Sequence, residues 1–444
     1  MKSAWKVLPI AMLAVGVAGC NDFLTGGELS TDPNRPTTAT SRQLFTGVQS
    51  NLWAFYASDM VRVTEMWAQQ MQGNVGQYQN LFTYGVSEQT TNGFYAGLYI
   101  GGGLVDVRSL QQSALTEGDT LFLGIAQVQE ALLMSVGADL FGDVVYSEAL
   151  KGDSLPNPKL DPQLEVYDAL LALLDQSIAN MAFTGPTNVG PGDADLSYGG
   201  DPVLWTKLAH TLKARILVHT AEVRPDVWPT VLAEASQGFT DPSENFVAAF
   251  SGASGEQNFY YQFTVVQREG YWTPYTPFVQ MMVTRGDPRL TDYFNATQSG
   301  LSATRSDPAY PQPLILANEN LLVWAEAAYR TGDEGTAVTQ LNAERALAGL
   351  PAVSFTGPAL LQEILTEKYI ATFQTYEPWN DYKRTCYPNL PPIVEGAKIP
   401  ARFFYDTSER QTNTSIPPAD QQPVRNANDP PNATDPFGSA CLAQ

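Results

Sequence analysis

The residues best suited to chemistry in this chain are aromatic rings set among amides, and they occur in two stretches. One is NFYYQFTVVQREGYWTPYTPF, residues 258–278, in which eight positions are aromatic against 11 % for the whole chain. The other is WAQQMQGNVGQYQNLFTY, residues 67–84. Prolines and glycines interrupt the first stretch, so regular helix cannot account for all its rings. Such rings either fill a core or form a platform for a ligand, and the sequence pattern leaves both readings open.

Signatures of covalent chemistry are weak. The two histidines, His210 and His219, lie nine residues apart on one predicted helix, so their rings face opposite sides and cannot share a metal ion. The chain has no nucleophile elbow, phosphate-binding loop or dinucleotide fingerprint. The loop NVGPGDADLSYGGD offers aspartates to calcium, but without EF-hand order. We therefore expect no cofactor, no metal and no catalysis, although 46 acidic residues leave open a carboxylate pair of the glycosidase kind.

The charge balance narrows the choice of partners. The chain has 25 basic and 46 acidic residues and a net charge of −21. Nucleic acids and anionic lipid headgroups both require clustered Lys and Arg, so neither is an expected partner. The balance is compatible with neutral or cationic ligands.

The N-terminus, MKSAWKVLPIAMLAVGVAGC, has the features of an export signal. Two lysines precede an apolar run over 7–18, which is shorter than the roughly 20 residues that span a bilayer. The run ends in Val-Ala-Gly-Cys, which resembles a bacterial lipobox. We expect residues 1–19 to be a lipoprotein signal peptide, Cys20 to be lipidated, and residues 20–41 to form a polar tether. An ordinary signal peptide followed by a chance cysteine is the alternative.

Two cysteines remain after such processing, Cys386 and Cys441. In an exported protein a cysteine pair is a candidate disulfide. The sequence does not show whether their geometry permits the bond, so pairing and free thiols both stay open.

Helical periodicity dominates the rest of the chain. In DTLFLGIAQVQEALLMSVGADLF, apolar residues recur on one face at helical spacing. The pattern predicts one domain over 42–444. We expect it to have a helical scaffold at about 42–237 and 314–385, a loop-rich insertion at about 238–313 and a surface coil tail at about 411–444. The insertion is either loops or a small β-containing lobe. Helix pairs repeat about every 38 residues, close to the roughly 34 of tetratricopeptide arrays.

Several stretches, taken in chain order, resemble the SusD/RagB family of outer-membrane nutrient-binding lipoproteins. Two of them depart from the family pattern, with Val145 and Asp406 where proline is usual. Each match is weak alone, but together they follow the family order over most of the chain. The matching stretches are CNDFL after the lipobox, GADLFGDVVYSEAL (137–150), GDPRL (286–290), LLVWAEAAYRTGD with AVTQLNAERALAGLP, ILTEKYIATFQTYEPWNDYKRTCYP, and IPARFFYDTSERQTN (399–413).

The resemblance implies a mostly α-helical fold of tetratricopeptide-like helix pairs with a loop-rich, partly irregular ligand-binding side. It implies a lipid-anchored protein on the extracellular face of the outer membrane. There the protein would cap a SusC-like TonB-dependent transporter barrel and deliver an oligosaccharide or peptide without covalent chemistry. Two alternatives remain, a surface glycoside hydrolase and a helical-repeat scaffold for protein assembly.

Polar residues in the resembling motifs have a structural interpretation as clasps that lock helix pairs. A half-buried carboxylate needs a cation, and arginine offers a two-pronged fork for it. The predicted clasp residues are Glu326, Asn342, Arg345, Glu367, Glu377, Asp381 and Arg384.

The aromatic stretches supply the candidates for ligand contact. Sugar rings present apolar C–H faces edged by hydroxyls, which suit rings that carry a polar tip and neighbouring amides. For each ring the alternative is packing in the core. The ligand-binding candidates are Trp67, Tyr78, Tyr84, Asn258, Tyr260, Tyr271, Trp272 and Tyr275.

Overall fold

The computed structural model describes residues 39–429. The predicted signal peptide, Cys20, most of the tether and Cys441 lie outside the described residues. Cys386 is disulfide-bonded, and its pairing with Cys441 stays a prediction.

The helices are α1 Ser41–Ala57, α2 Asp59–Trp67, α3 Gly76–Phe82, α4 Phe94–Gly97, α5 Leu104–Glu117, α6 Thr120–Phe141, α7 Gln163–Ala182, α8 Pro202–Thr220, α9 Trp228–Ala235, α10 Phe259–Tyr261, α11 Thr276–Arg285, α12 Arg289–Tyr293, α13 Ala317–Arg330, α14 Glu334–Leu347, α15 Gly357–Ala371, α16 Glu377–Thr385 and α17 Thr407–Thr412. The strands are β1 Met71–Gly73, β2 Phe246–Ala248, β3 Trp272–Pro274 and β4 Gln312–Ile315.

Helix α6 is the centre of the N-terminal scaffold. It begins after Asp119, whose carboxylate accepts from the backbone N–H of Phe122 at 2.9 Å. Helices α1, α5, α7 and α8 pack around it. By length and composition α6 could cross a membrane, but 94 % of its apolar 18-residue stretch is buried inside the protein. A helix that is apolar on all sides is buried on all sides, and here other helices surround it.

Successive helices pack as pairs along the chain, notably α6 with α7, α8 with α9, and α13 with α14. The turn between α13 and α14 contains Gly332, whose φ of 89° suits glycine. Asp333 then starts α14 by accepting from the N–H of Thr336 at 3.0 Å. The predicted mostly helical fold of tetratricopeptide-like pairs is confirmed.

The few strands connect distant parts of the chain. β1 pairs antiparallel with β3, with Met71 opposite Pro274 and Gly73 opposite Trp272. β2 pairs antiparallel with β4. Residues 238–313 therefore do not form a separate β lobe, because β3 pairs with a strand outside them. The β1–β3 pairing places the two aromatic-rich stretches side by side.

The C-terminal segment differs from the expected surface coil. Residues 422–429 are irregular, but several of their side chains are buried. Asn426 Nδ2 donates to the carbonyl of Asp139 at 2.7 Å, and Asn428 Nδ2 donates to the carbonyl of His219 at 2.9 Å. Both carbonyls lie in the last turns of helices, where no intrahelical donor is available. The side chains of Asn426 and Asn428 are buried because their amides satisfy these two helix carbonyls.

One buried ionic cluster joins three scaffold helices. His219 on α8 lies between Asp139 on α6, at 2.9 Å from Nδ1, and Glu377 on α16, at 3.0 Å from Nε2. Desolvation alone would lower the pKa of His219, but the two carboxylates raise it to about 10. His219 is therefore a buried cation at neutral pH. His210, on the opposite side of α8, contacts Glu234 instead.

The other predicted clasp residues also contact groups on neighbouring segments. Glu326 on α13 accepts two hydrogen bonds from Arg384 on α16, each of 2.8 Å. Although desolvation would raise the pKa of Glu326, Arg384 and Arg330 lower it to about 2. The remaining contacts are Asp381 with Lys368 on α15 (3.0 Å), Arg345 with Glu367 (2.5 Å), and Asn342 with the backbone of Val353 (2.8 and 2.9 Å).

Glu326→Ala is expected to destabilise the protein by about 3–5 kcal/mol, because Arg384 would keep its charge in a buried site without its fork partner. Urea unfolding of both proteins measures the difference. The control is Asp168→Ala, which removes an exposed partner of Arg224 and should cost about 0–1 kcal/mol. Equal stability of the two variants would contradict the clasp interpretation.

Candidate functional site

The structure corrects the sequence expectation for five of the eight ligand-binding candidates. Trp67, Tyr78, Asn258, Tyr260 and Trp272 are at most 3 % exposed. Side chains closed off to this degree cannot stack a ring face on a ligand at the surface, although Tyr78 still borders the cavity described below. The four aromatic rings among them are large, so their burial in the core stabilises the folded protein.

The packing of these residues explains their burial. Trp67 stacks on Phe403 at 4.6 Å between ring centroids, and its indole N–H donates to the carbonyl of Leu81 at 3.0 Å. Trp272 lies 5.5 Å from Tyr260. The amide of Asn258 caps the short helix α10 rather than facing solvent.

Three candidates remain half-buried. Tyr84 lines a cavity of about 390 Å³ against the C-terminal region, and its hydroxyl accepts from the N–H of Ile393 at 2.8 Å. Tyr275 contacts Phe82 edge-on at 5.6 Å. Tyr271 lies beneath the guanidinium of Arg268, 5.3 Å from it. These rings stay candidates for ligand contact.

A polar cleft forms where the two aromatic-rich stretches meet. It consists of two adjoining cavities, of about 340 and 250 Å³, which share Asp59 and Gln77. We name it the Asp59 cleft. The larger cavity is lined by Asp59, Met60, Val63, Gln77, Tyr78, Asn80, Leu81, Gly85, Ser87, Gln89 and Thr90. The smaller is lined by Ser58, Asp59, Arg62, Gln77, Phe259, Gln262, Phe263, Gln267 and Arg268.

Asp59 is held in place by its neighbours while its carboxylate stays 59 % exposed. It accepts from the Tyr78 hydroxyl at 2.7 Å and from Arg62 Nη2 at 2.5 Å. Partial desolvation would raise the pKa of Asp59, but the charge of Arg62 and these two hydrogen bonds lower it below its ordinary value. The cleft therefore has a fixed, ionised acceptor at its centre.

Arg62 forms the inner wall of the smaller cavity. Its side chain is 6 % exposed, and its guanidinium lies 4.3 Å from the centre of the Phe263 ring. Nε donates to the Tyr78 hydroxyl at 3.1 Å. Nη1 is buried and has no hydrogen-bond partner among residues 39–429. An unsatisfied buried donor is costly, so an acceptor brought to this atom would bind favourably.

A π-helical turn over Gln262–Gln267 shapes the outer wall. It buries Phe263 and leaves Gln262 and Gln267 on the cleft. π-turns occur frequently at functional sites. The sequence pattern pointed to rings with neighbouring amides, and amides such as Gln77 and Gln262 do line the cleft. Asp59 and Arg62 were not predicted, because both precede the stretch 67–84.

Glu65 is linked to the cleft through Tyr260, whose ring centre lies 5.7 Å from the guanidinium of Arg62. It is completely buried and accepts from the Tyr260 hydroxyl at 3.1 Å and from the backbone N–H of Gln374 at 3.0 Å. Burial raises the pKa of Glu65 to about 8, because these hydrogen bonds and the nearby arginines offset the desolvation only in part. At neutral pH the protonated carboxyl prevails.

Two aspartates in the loop that could offer ligands to calcium have protein partners. Asp195 accepts five hydrogen bonds, from the side chains of Gln49 and Trp205 and from three backbone N–H groups. Asp201 is the N-cap of α8. Across residues 39–429, no group of three or more His, Cys, Asp or Glu side chains could hold a metal ion.

Comparison with known proteins identifies the family. Residues 33–308, more than half of the chain, match the SusD-like family described as "Starch-binding associating with outer membrane". No curated protein matches the chain by sequence. The chain belongs to the SusD-like family, whose members are outer-membrane surface proteins that bind nutrients and glycans.

Solved structures show the same fold at low sequence identity. A SusD-like protein from Bacteroides thetaiotaomicron superposes with a TM-score of 0.72 at 19 % identity, over 89 % of this chain and 100 % of that one. A chitin-binding SusD homolog from Flavobacterium johnsoniae gives 0.69 at 17 %, over 88 % and 99 %. A SusD homolog from Bacteroides fragilis gives 0.69 at 21 %, over 85 % and 95 %.

Glu65→Gln should stabilise the protein at alkaline pH. The folded-state pKa of Glu65 lies above its ordinary value of 4.5, so the native state binds the extra proton and loses stability as pH rises from about 4.5 to 8. Glutamine matches the protonated carboxyl and removes this loss. We expect equal stability near pH 4 and a gain on the order of 5 kcal/mol at pH 9, since one pKa unit corresponds to about 1.4 kcal/mol.

Chemical denaturation across pH 4–9 measures this difference. Parallel stability profiles for the two proteins would show that Glu65 does not titrate as described. The Tyr260 hydroxyl keeps a partner in the variant, so a loss of stability at every pH would also contradict the prediction.

Proposed function

We propose that this protein binds an oligosaccharide in the Asp59 cleft and delivers it, uncleaved, to a SusC-like TonB-dependent transporter barrel. The observation that carries the proposal is the lining of the cleft. Amides, hydroxyls and two guanidiniums, of which Arg268 is exposed and Arg62 is buried, converge on two adjoining cavities beside aromatic side chains. Hydroxyl-rich sugars need such donors and acceptors, and apolar ring faces for their C–H surfaces.

The size of the cleft supports the same conclusion. Its cavities of about 340 and 250 Å³ adjoin, and small-molecule sites typically span about 300–1,000 Å³. Phe259 is half-buried in the smaller cavity and provides an apolar face. Membership of a glycan-binding family and the fold shared with a chitin-binding homolog favour a glycan over a peptide.

The cleft chemistry disfavours hydrolysis. A glycosidase of the usual kind needs two carboxyl groups, one of which must hold a proton near neutral pH. Asp59 is the one carboxylate among the described residues that line the cleft. Its lowered pKa, caused by Arg62 and Tyr78 against the opposing effect of desolvation, makes it a poor proton donor. Binding without turnover therefore fits better than the hydrolase alternative.

Affinity should depend on the cleft amides. Replacing both Gln77 and Gln262 by alanine removes two groups suited to sugar hydroxyls, each expected to contribute about 0.5–1.5 kcal/mol, so affinity should fall by about 5- to 100-fold. A glycan array probed with the chain from residue 21 onward selects the oligosaccharide, and calorimetry measures its affinity.

Gln280→Ala is the matched control, because this exposed amide lies on α11 in a different cavity. Its affinity should equal that of the unmodified protein. Unchanged affinity in the double variant would show that the ligand does not bind in the Asp59 cleft. If incubation with the protein shortens the oligosaccharide, the protein is a hydrolase and the proposal of binding without cleavage is wrong.

The proposed lipid anchor has its own test. Cys20→Ser removes the thiol that would carry the lipid, so labelled palmitate should no longer enter the protein. The protein should also leave the membrane fraction, because acyl chains would be its anchor. Palmitate-free but membrane-bound wild-type protein would contradict acylation at Cys20. Co-purification of a barrel from detergent extract tests the transporter partner.

A further inference from the structure

Arg268 at the mouth of the smaller cavity is an unusual cation for this chain. Most arginines in residues 39–429 reach a carboxylate, and Arg289 and Arg345 each reach more than one. Arg268 is exposed, lies over the Tyr271 ring at 5.3 Å, and forms no ion pair with a described residue. In a chain with 46 acidic residues against 25 basic ones, an arginine left without a carboxylate partner at a cavity mouth is available to a ligand.

The charge at the cleft is opposite in sign to that of the whole chain. The carboxylate of Asp59 is matched by Arg62 through their contact of 2.5 Å. The other polar groups that line the smaller cavity are neutral amides and a hydroxyl, apart from Arg268. The cavity therefore has a net charge of about +1, whereas the chain has −21.

A second donor lies deeper in the same cavity. Arg62 lines it, is 6 % exposed at its side chain, and keeps Nη1 buried without a hydrogen-bond partner among the described residues. Two guanidiniums therefore border one space of about 250 Å³. Charge-assisted hydrogen bonds from guanidinium are roughly twice as strong as neutral ones, and the planar fork matches carboxylate and similar oxyanions.

We propose that the Asp59 cleft selects oligosaccharides that carry an anionic substituent, a carboxylate or a sulfate ester. Arg268 is the main counter-ion, and Nη1 of Arg62 is the second donor. This inference rests on the proposed glycan-binding function and specifies its ligand class. The expectation of neutral or cationic ligands from bulk charge does not hold at the cleft, because charges more than about 8 Å away are largely screened at physiological ionic strength.

The experiment compares matched neutral and acidic ligands. The chain from residue 21 onward is applied to an array of oligosaccharides in pairs that differ only by a uronate or a sulfate, and calorimetry measures the best pair at low and high salt. We expect the acidic member to bind about tenfold or more tightly than its neutral counterpart, with an advantage that shrinks as salt rises. The uronate and sulfate arms show which anion is preferred.

Arg268→Gln should bring the acidic and neutral ligands to within about threefold of each other, because the unmatched charge is removed. The control is Arg224→Gln, which removes the same charge from an exposed pair with Asp168 on α7 and should leave the acidic preference intact. Both side chains are at the surface, so thermal melting should confirm that both variants fold.

Each outcome bears on one conclusion. Equal binding of neutral and acidic partners overturns the anion inference, as does an acidic preference that survives Arg268→Gln or is lost equally in Arg224→Gln. If neutral oligosaccharides bind and the Gln77 and Gln262 double variant weakens them, the proposed function holds and only the anion inference fails. If no oligosaccharide binds, the proposed function fails and the inference fails with it.

Discussion

Carboxylates that stay ionised when buried between the helices must find cations inside the protein, and this requirement sets how the scaffold fits together. Glu326, Glu367 and Glu377 are at most 1 % exposed, and each reaches Arg or His side chains on other segments. An unpaired charge in such a site would cost several kcal/mol. Helix α16 therefore has one arrangement against α8, α13 and α15, and the C-terminal segment closes over the same region through Asn426 and Asn428.

The Asp59 cleft forms at the edge of that scaffold because two short strands join segments nearly 200 residues apart. The β1–β3 pairing fixes 67–84 against 258–278, and the large rings of both stretches turn inward. Polar residues between the rings are left facing outward. The buried rings thus position the polar groups of the cleft, since Tyr78 and Phe263 contact Arg62, and Arg62 contacts Asp59.

The sequence predicted features that depend on local order. Periodicity predicted the helices, and in the structure two of them begin after the N-cap residues Asp119 and Asp201. The family resemblance agreed with the fold. The contact between the two aromatic stretches was not predicted and comes from the β1–β3 pairing. The ligand candidates Trp67 on α2 and Trp272 on β3 are buried, because ring type does not reveal which side of a helix or a short strand faces the core.

By itself, the sequence determined the helical architecture, the family and the acidic character of the chain, because composition, spacing and motif order are properties of the linear chain. Tertiary structure decided which side chains are exposed, because exposure depends on what packs against each residue from elsewhere. Asp59, Arg62 and Arg268 line one cavity only because β1 pairs with β3. Long-range pairing also turned an acidic chain into one with a locally cationic cavity.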